Sequence, residues 1–162
     1  MLTMSVGLFS ACKEDKGYKI KFKANACGFV GFNADGNIGL NIIVRSLEEL
    51  ESICNERYTY GSEWKKNVPD YSLRDSAKNS NYDETYFTEM ALVIITLGIS
   101  QEIKSLRKIE ETLIIGIIER VPKGSRTGQM LLSGYGGSFI EVKKAAVVSI
   151  DKIEFVIKER KK

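Results

Sequence analysis

The stretch ALVIITLGI, Ala91–Ile99, decides the fold class of this chain. It is an almost continuous apolar run, rich in β-branched side chains, and it is too short to span a bilayer. A strand with one wet face would alternate apolar and polar residues, and this run does not alternate. The stretch is therefore predicted to be a central, buried β-strand.

The residues on either side of this strand predict a short helix and further strands. Tyr82–Met90, directly before it, is predicted to form one or two helical turns. After it, QEIKSLRKIEETLIIGIIERV alternates and then becomes apolar, which predicts two antiparallel strands that turn near Glu110 and Glu111. Further strands are predicted for YKIKFKA at Tyr18–Ala24, FIEVKKAAV at 139–147 and KIEFVIKER at 152–160.

One amphipathic helix and two loops complete the pattern. SLEELESICNE, Ser46–Glu56, begins with a residue that caps helices well and carries Glu49 three positions later, which is a capping box. Two segments have no clear period and are predicted to be loops, namely the polar and aromatic Arg57–Asn81 and the glycine-containing 122–138. A loop of such length inside a compact domain is usually functional or disordered.

These elements predict the α+β class, with a mainly antiparallel β-sheet of about six to eight strands and one or two short helices. The 162 residues suit one domain and are too few for two comfortable ones. Because neither an internal repeat nor a linker is found, residues 13–162 are predicted to form a single α+β domain.

The N-terminal residues 1–12 are predicted to be a truncated lipoprotein-type signal segment. MLTMSVGLFSA is apolar or small and uncharged, and Ser10 and Ala11 stand directly before Cys12, as in the lipobox of bacterial lipoproteins. In that pattern the Cys12 thiol receives the lipid, so the protein is expected to be extracytoplasmic, either membrane-anchored through Cys12 or secreted. The alternative is a first β-strand in which Cys12 is buried.

Two further cysteines, Cys27 and Cys54, remain if Cys12 carries a lipid. An even pair outside the reducing cytosol is compatible with a disulfide, and two buried thiols are the alternative. The sequence does not fix the separation of their Cα atoms, on which a disulfide depends.

The absence of histidine excludes several classes of enzyme. Neither a Ser-His-Asp triad, nor a Cys-His pair, nor a zinc site with histidine ligands can be built within this chain. No phosphate-binding glycine motif occurs, so the sequence predicts a protein that is not an enzyme and has neither a cofactor nor a metal. The net charge of +3 equals that of the tail KERKK, and nucleic-acid binding is therefore not expected.

Four short motifs carry a resemblance to a known family. They are YDETYFTEMALVIITL, TLIIGIIERV, RTGQM and FIEVKK. With them, residues 46–157 resemble an uncharacterised family of small lipoproteins and secreted proteins from Firmicutes, broadly Clostridia. The resemblance implies an α+β fold and an envelope location, and it implies no reaction. A looser similarity is to the C-terminal domain of PrcB, a protein of a protease complex, which shares the acid–aromatic start before a strand.

The first functional hypothesis is a non-catalytic binding or protein-interaction module, with a protein or a glycan at the cell surface as its partner. Tyr and Trp side chains stack on sugars and dominate binding hot spots. The candidate binding residues are Tyr58, Tyr60, Trp64, Tyr71 and Tyr135. For the four in Arg57–Asn81, the alternative is a structural one, in which they fold back over the sheet as a satellite cluster.

The other two hypotheses rest on carboxylates and on a loop. A hydrolase would use Asp83, Glu84 and Glu89, which precede the core strand, although Asp83 and Glu84 also suit the N-terminus of a helix. A protease-associated or inhibitory domain, by analogy with PrcB, would present SGYGGS, residues 133–138, as an exposed loop. The alternative is that these glycines supply turn dihedrals before the next strand.

Overall fold

The structure is a computed structural model, and it describes residues 17–27, 40–55, 73, 77, 80–98, 100–119 and 135–159. The elements whose bounds lie in these ranges are eight strands and three short helices. In chain order they are β1 (Tyr18–Ile20), β2 (Phe22–Cys27), β3 (Ile42–Val44), α1 (Leu47–Asn55), α2 (Glu84–Glu89), β4 (Met90–Gly98), β5 (Gln101–Ile109), β6 (Thr112–Glu119), β7 (Tyr135–Lys143), α3 (Lys144–Val147) and β8 (Lys152–Glu159).

The strands form two four-stranded sheets. The central sheet has the order β2-β7-β4-β3, and all of its neighbouring strands are antiparallel. The flanking sheet has the order β1-β5-β6-β8 and is antiparallel except for β6 and β8, which run parallel. The predicted α+β class and mainly antiparallel pairing are confirmed, and the strands are divided between two sheets.

Strand β4 is buried on both faces, as its apolar run predicts. Val93 and Ile95 face the flanking sheet, and Leu92 and Ile94 face the opposite side of the central sheet. All four side chains are fully buried. A strand with two covered faces needs apolar residues at successive positions, so the period-2 alternation of a half-exposed strand is lost.

Two hydrophobic cores lie on the two faces of the central sheet. The inter-sheet core lies between the sheets, and its buried members are Ile20, Ile43, Ala91, Val93, Ile95, Leu97, Leu106, Leu113, Ile115, Ile117, Ile140, Val142, Val147 and Ile150. The helix-side core covers the other face beneath α1 and α2, and its buried members are Leu40, Val44, Leu50, Ile53, Leu73, Ala77, Tyr82, Phe87, Leu92, Ile94 and Phe139. Burial of apolar surface is the dominant favourable term in folding, so the central sheet is the main stabilising layer.

The turn predicted near Glu110 and Glu111 is confirmed. Strands β5 and β6 pair with Ile109 opposite Thr112, which leaves Glu110 and Glu111 as a two-residue turn. Glu110 has a φ of 54°, the left-handed conformation that such hairpin turns require. The Glu111 carbonyl accepts the N–H groups of Asp151 and Lys152, which holds the start of β8 beside the start of β6.

The predicted helix at Ser46–Glu56 is confirmed as α1, with a modified capping box. Ser46 Oγ accepts the Glu49 N–H at 3.1 Å, as an N-cap residue should. Glu49 Oε2 accepts the N–H of Arg45 at 2.6 Å, one residue earlier than in the standard box. The two bonds still satisfy backbone donors at the start of the helix.

The first predicted strand, Tyr18–Ala24, is divided between both sheets. Its residues up to Ile20 pair with β5 in the flanking sheet, and from Phe22 onward they pair with β7 in the central sheet. Lys21 alone separates the two strands. The alternation of apolar and basic residues therefore predicts extended structure correctly, but it does not indicate that the chain moves from one sheet to the other at Lys21.

The predicted loop at 122–138 is wrong at its end, because Tyr135–Ser138 already belong to β7. Gly136 pairs with Leu97 of β4, and Gly137 lies between Thr96 of β4 and Cys27 of β2. Glycine has a low intrinsic strand propensity, but pairing on both sides overrides it here. The remainder of that loop lies outside the described residues.

The strand predicted for 139–147 is also wrong at its end, because Lys144–Val147 form helix α3. Arg45 donates from Nε and Nη2 to the Val147 carbonyl, at 3.3 and 3.0 Å, and also from Nη2 to the Ile150 carbonyl. An arginine that binds the last carbonyls stabilises a helix C-terminus. This contact spans about a hundred positions, and the local sequence therefore gives no sign of it.

Candidate binding site

The most polar cluster on the helix-side face of the central sheet is centred on Glu141 of β7. Lys23 of β2 lies directly opposite Glu141, and Asn25 lies opposite Phe139, which places Asn25 diagonally across from Glu141. Side chains of directly opposed and diagonal residues on one sheet face are close enough to interact. Lys23, Asn25, Glu141 and the nearby Tyr82 are called the Glu141 cluster below.

The contacts of the Glu141 carboxylate fall on one of its two oxygens. Oε1 accepts a hydrogen bond from Asn25 Nδ2 at 2.6 Å and one from the Tyr82 hydroxyl at 3.3 Å, and Lys23 Nζ lies 3.7 Å from it. Among the described residues, Oε2 makes no hydrogen bond or ion pair, and 18% of the side-chain surface stays exposed. The second oxygen therefore keeps its capacity to accept hydrogen bonds from a ligand.

Helix α2 and two aromatic rings hold Tyr82 over the sheet. The Tyr82 ring lies 4.8 Å from that of Tyr86 and 5.5 Å from that of Phe139, the latter edge-on. Asp83 Oδ1 accepts the Tyr86 N–H at 2.8 Å and so caps the start of α2. The cap fixes the helix that carries Tyr86, and the ring of Tyr82 packs against that of Phe139 in the sheet below it.

The electrostatics of the cluster favour neutral phenols. Burial, and then the negative charge of Glu141, raise the pKa of Tyr82 from 10 to about 12. The same two causes also raise the pKa of Tyr86. Both hydroxyls therefore keep their protons at neutral pH and act as hydrogen-bond donors, and neither is suited to remove a proton from a substrate.

The carboxylates predicted for a hydrolase do not converge. Asp83 is engaged as the N-cap of α2, which was the alternative reading of this residue, and Glu84 is exposed in the first turn. Glu89 pairs with Lys143 at 3.0 Å on the surface. None of these three side chains lines the depression described below.

Most of the predicted binding residues lie outside the described part of the chain. These are Tyr58, Tyr60, Trp64 and Tyr71, as well as Cys12. Tyr135 is the first residue of β7, but its side chain is not described. Leu73 and Ala77, which follow the aromatic segment, are both buried in the helix-side core together with Tyr82.

The question of a disulfide between Cys27 and Cys54 also falls outside the described side chains. Cys27 ends β2, and only its backbone is described. Cys54 is half-buried near the end of α1 and packs against the helix-side core.

A concave region lies at the end of the inter-sheet core. It is a shallow, open depression of about 640 Å³, lined by Tyr18, Lys108, Glu110, Lys143, Ala145 and Ala146. Its two lysines already have partners, since Lys108 Nζ donates to Ser149 Oγ at 2.6 Å and Lys143 pairs with Glu89. The Glu141 cluster offers an acceptor with remaining capacity, so it is the stronger candidate.

The sequence hypotheses missed Lys23, Asn25 and Glu141. The available signal was a carboxylate inside the otherwise apolar run FIEV, which indicates a charge at the margin of a core. Asn25 and Glu141 are 116 positions apart and meet only through the pairing of β2 with β7.

Comparison with protein-family models, with curated proteins and with solved structures returns no match. Within the described ranges, no helix has the length and apolarity to cross a membrane. No group of three or more cysteine, aspartate or glutamate side chains in those ranges is arranged to hold a metal ion. The functional argument therefore rests on the geometry of the Glu141 cluster.

Proposed function

We propose that the protein is a non-catalytic binding module of the cell envelope and that the Glu141 cluster is part of its binding site. The ligand class that fits is a neutral glycan, whose hydroxyl and amide groups donate hydrogen bonds. The observation that carries this proposal is that all contacts of the Glu141 carboxylate fall on Oε1, whereas Oε2 has no partner among the described residues.

The chemistry around Oε2 suits a ligand that donates and accepts hydrogen bonds. The Asn25 amide has a carbonyl oxygen beside the carboxylate, and the Lys23 ammonium has three donors. A few polar groups placed beside aromatic side chains are typical of small-ligand sites. The raised pKa of Tyr82 keeps its hydroxyl a donor and not a base, which supports binding without catalysis.

We propose that the predicted aromatic residues belong to the same binding surface. The segment that holds Tyr58, Tyr60, Trp64 and Tyr71 runs from the end of α1 to Leu73. Both ends of that segment belong to the helix-side layer, which also contains Tyr82. We therefore propose that one or more of these rings stack on the sugar that Glu141 holds.

Removal of the negative charge of Glu141 tests whether this cluster binds a glycan. In a calorimetric titration with a soluble N-acetylglucosamine oligosaccharide, the Glu141→Gln variant should bind at least about tenfold more weakly than the wild type, because a hydrogen bond to a charged acceptor is lost. The amide of glutamine keeps the shape of the side chain, so the contacts with Asn25 and Tyr82 are retained in part.

The matched control is Glu89→Gln, which removes an exposed carboxylate at the end of α2 and should leave the affinity unchanged. An equal affinity of wild type and Glu141→Gln would disprove the site. If the wild type bound no oligosaccharide but bound peptides at Glu141, the partner would be a protein and not a glycan.

The envelope location is proposed from the lipobox-like residues before Cys12. When the protein is expressed from its own gene in a bacterial host, we expect cleavage after Ala11 and a lipid adduct on Cys12. The Cys12→Ser variant should then be lost from the membrane fraction. Intact mass and fractionation measure both effects, and a product that retains Met1–Ala11 without an adduct would contradict the proposal.

The protease-associated alternative has less support. It needs SGYGGS as an exposed loop, and Tyr135–Ser138 belong to β7, where all four residues pair with β4 and Gly137 and Ser138 also pair with β2. No contact among the described residues favours it.

A further inference from the structure

Among the described strands, β8 is the last one of the flanking sheet. It extends over Lys152–Glu159 and pairs with β6 on one side, and no described strand pairs with its other side. Its sequence contains no proline, and its pairing with β6 is regular over all eight positions. An unprotected edge strand of this length is a template for pairing with another strand.

The middle of this edge is apolar and is bounded by charges. Ile153 and Phe155 pack against the inter-sheet core, and Ile157 follows on the same face with 53% of its surface exposed. Val156 lies on the opposite face between Glu154 and Lys158. The edge thus presents an apolar centre with an acidic residue on one side and a basic residue on the other.

We infer that β8 pairs antiparallel with β8 of a second copy of this chain, with Val156 opposite Val156. In this register Glu154 of each copy lies opposite Lys158 of the other, so two cross-strand ion pairs form. Phe155 of each copy lies opposite Ile157 of the other, and this contact covers the exposed isoleucine. The two flanking sheets then become one continuous sheet of eight strands.

The charge pattern selects this register over its neighbours. The two copies are related by a two-fold axis perpendicular to the sheet, so the same face of β8 points to the same side in both copies. A side chain of one copy can therefore lie opposite only a residue whose side chain is on the same face of β8 in the other copy. Pairing centred on Glu154 would oppose two glutamates, and pairing centred on Lys158 would oppose two lysines. Pairing centred on Phe155 would oppose Lys152 to Lys158. Like charges directly opposite each other are destabilising. Pairing centred on Ile157 would pair only residues 155–159 of β8 and would lose the contact of Glu154 with Lys158, whereas the Val156 register pairs residues 153–159 of β8 and forms that contact twice.

The existing contact of Glu154 is compatible with this arrangement. Lys152 Nζ lies 2.6 Å from Glu154 Oε1, and both side chains are about half exposed or more. Glu154 would then lie between Lys152 of its own chain and Lys158 of the second copy. A carboxylate has two oxygens and can accept from both.

A charge swap should test the dimer. Sedimentation of the full chain from micromolar to millimolar concentration should show a monomer–dimer equilibrium for the wild type. Glu154→Lys and Lys158→Glu should each weaken dimerisation about tenfold or more, because each replaces two ion pairs with two repulsive contacts. The double variant Glu154→Lys/Lys158→Glu should recover the wild-type dissociation constant to within about threefold, since the pairs are restored with reversed sign.

Three outcomes would overturn the inference. They are a wild type that is monomeric throughout this range, a dimer that neither single variant weakens, and a double variant that does not recover. A wild-type monomer whose β8 edge instead takes up a strand of another protein belongs to the first of these. The control is Lys19→Glu, which reverses a charge on the opposite edge of the same sheet and should not alter dimerisation. Thermal unfolding of each variant at low concentration checks that the monomer remains folded.

Discussion

Replacement of Phe139 by alanine should lower the free energy of unfolding by about 3–5 kcal/mol. Phe139 is fully buried in the helix-side core, on the middle of β7, where β2 and β4 pair with it on both sides. Truncation leaves a cavity between the sheet and the helical layer, and it removes the ring against which Tyr82 packs edge-on. Urea denaturation of both proteins measures the difference.

The Phe139→Leu variant is the control for volume. Leucine fills most of the space and should cost less than about 1.5 kcal/mol. A loss below about 1 kcal/mol for Phe139→Ala would contradict the packing of the helix-side core as described. The alanine variant should also bind the oligosaccharide more weakly than wild type, because Tyr82, which lies beside Glu141, loses its contact with the Phe139 ring.

Alkaline pH should remove about 2–3 kcal/mol from the free energy of unfolding through Tyr82 alone. The pKa of Tyr82 is about 12 in the folded protein, and its ordinary value, which holds in the unfolded chain, is 10. The unfolded chain therefore releases this proton first as the pH rises. The contribution is fully present below pH 10 and is lost as the pH approaches about 12.

Denaturation at a series of alkaline pH values tests this expectation with two variants. Tyr82→Phe has no phenol to ionise, so its stability should fall less steeply above pH 10 than that of the wild type. Tyr18→Phe removes an exposed hydroxyl from β1 and should follow the wild-type curve. Parallel curves for wild type and Tyr82→Phe would contradict the burial of the Tyr82 hydroxyl beside Glu141.

The parts of the fold that depend on local chemistry could be predicted from the sequence. The run at Ala91–Ile99 predicts a doubly buried strand, because a strand between two layers needs apolar residues at every position. Ser46 and Asp83 predict helix starts through their capping side chains, and both caps form. The turn at Glu110 and Glu111 follows from the change of pattern between two strands.

The errors occur where distant partners decide the local structure. Gly136 and Gly137 favour a loop by themselves, but pairing with β4, and for Gly137 also with β2, holds them extended. Lys144–Val147 continue a strand pattern, but the Arg45 side chain caps a helix there. The parallel pairing of β6 with β8 likewise has no signal within either strand.

The candidate site was even harder to predict from the sequence, because its residues come from distant parts of the chain. Tyr82 is part of a noted motif, but its partner Glu141 is 59 positions away and Asn25 lies on the other side of Glu141. Neither Asn25 nor Glu141 stands out within its own strand. Their meeting depends on the register of β2 against β7, and register is set by the whole core and not by the two residues.

The chain passes between the two sheets four times, and three of these passages are short: at Lys21, between Gly98 and Gln101, and through α3. Each short passage joins a strand of one sheet to a strand of the other, so the backbone itself couples the opening of the two sheets. A fluctuation that peels one sheet away must also pull strands from the other. We therefore expect the amide protons of both sheets to exchange with solvent by the same global event, as members of one cooperative unit.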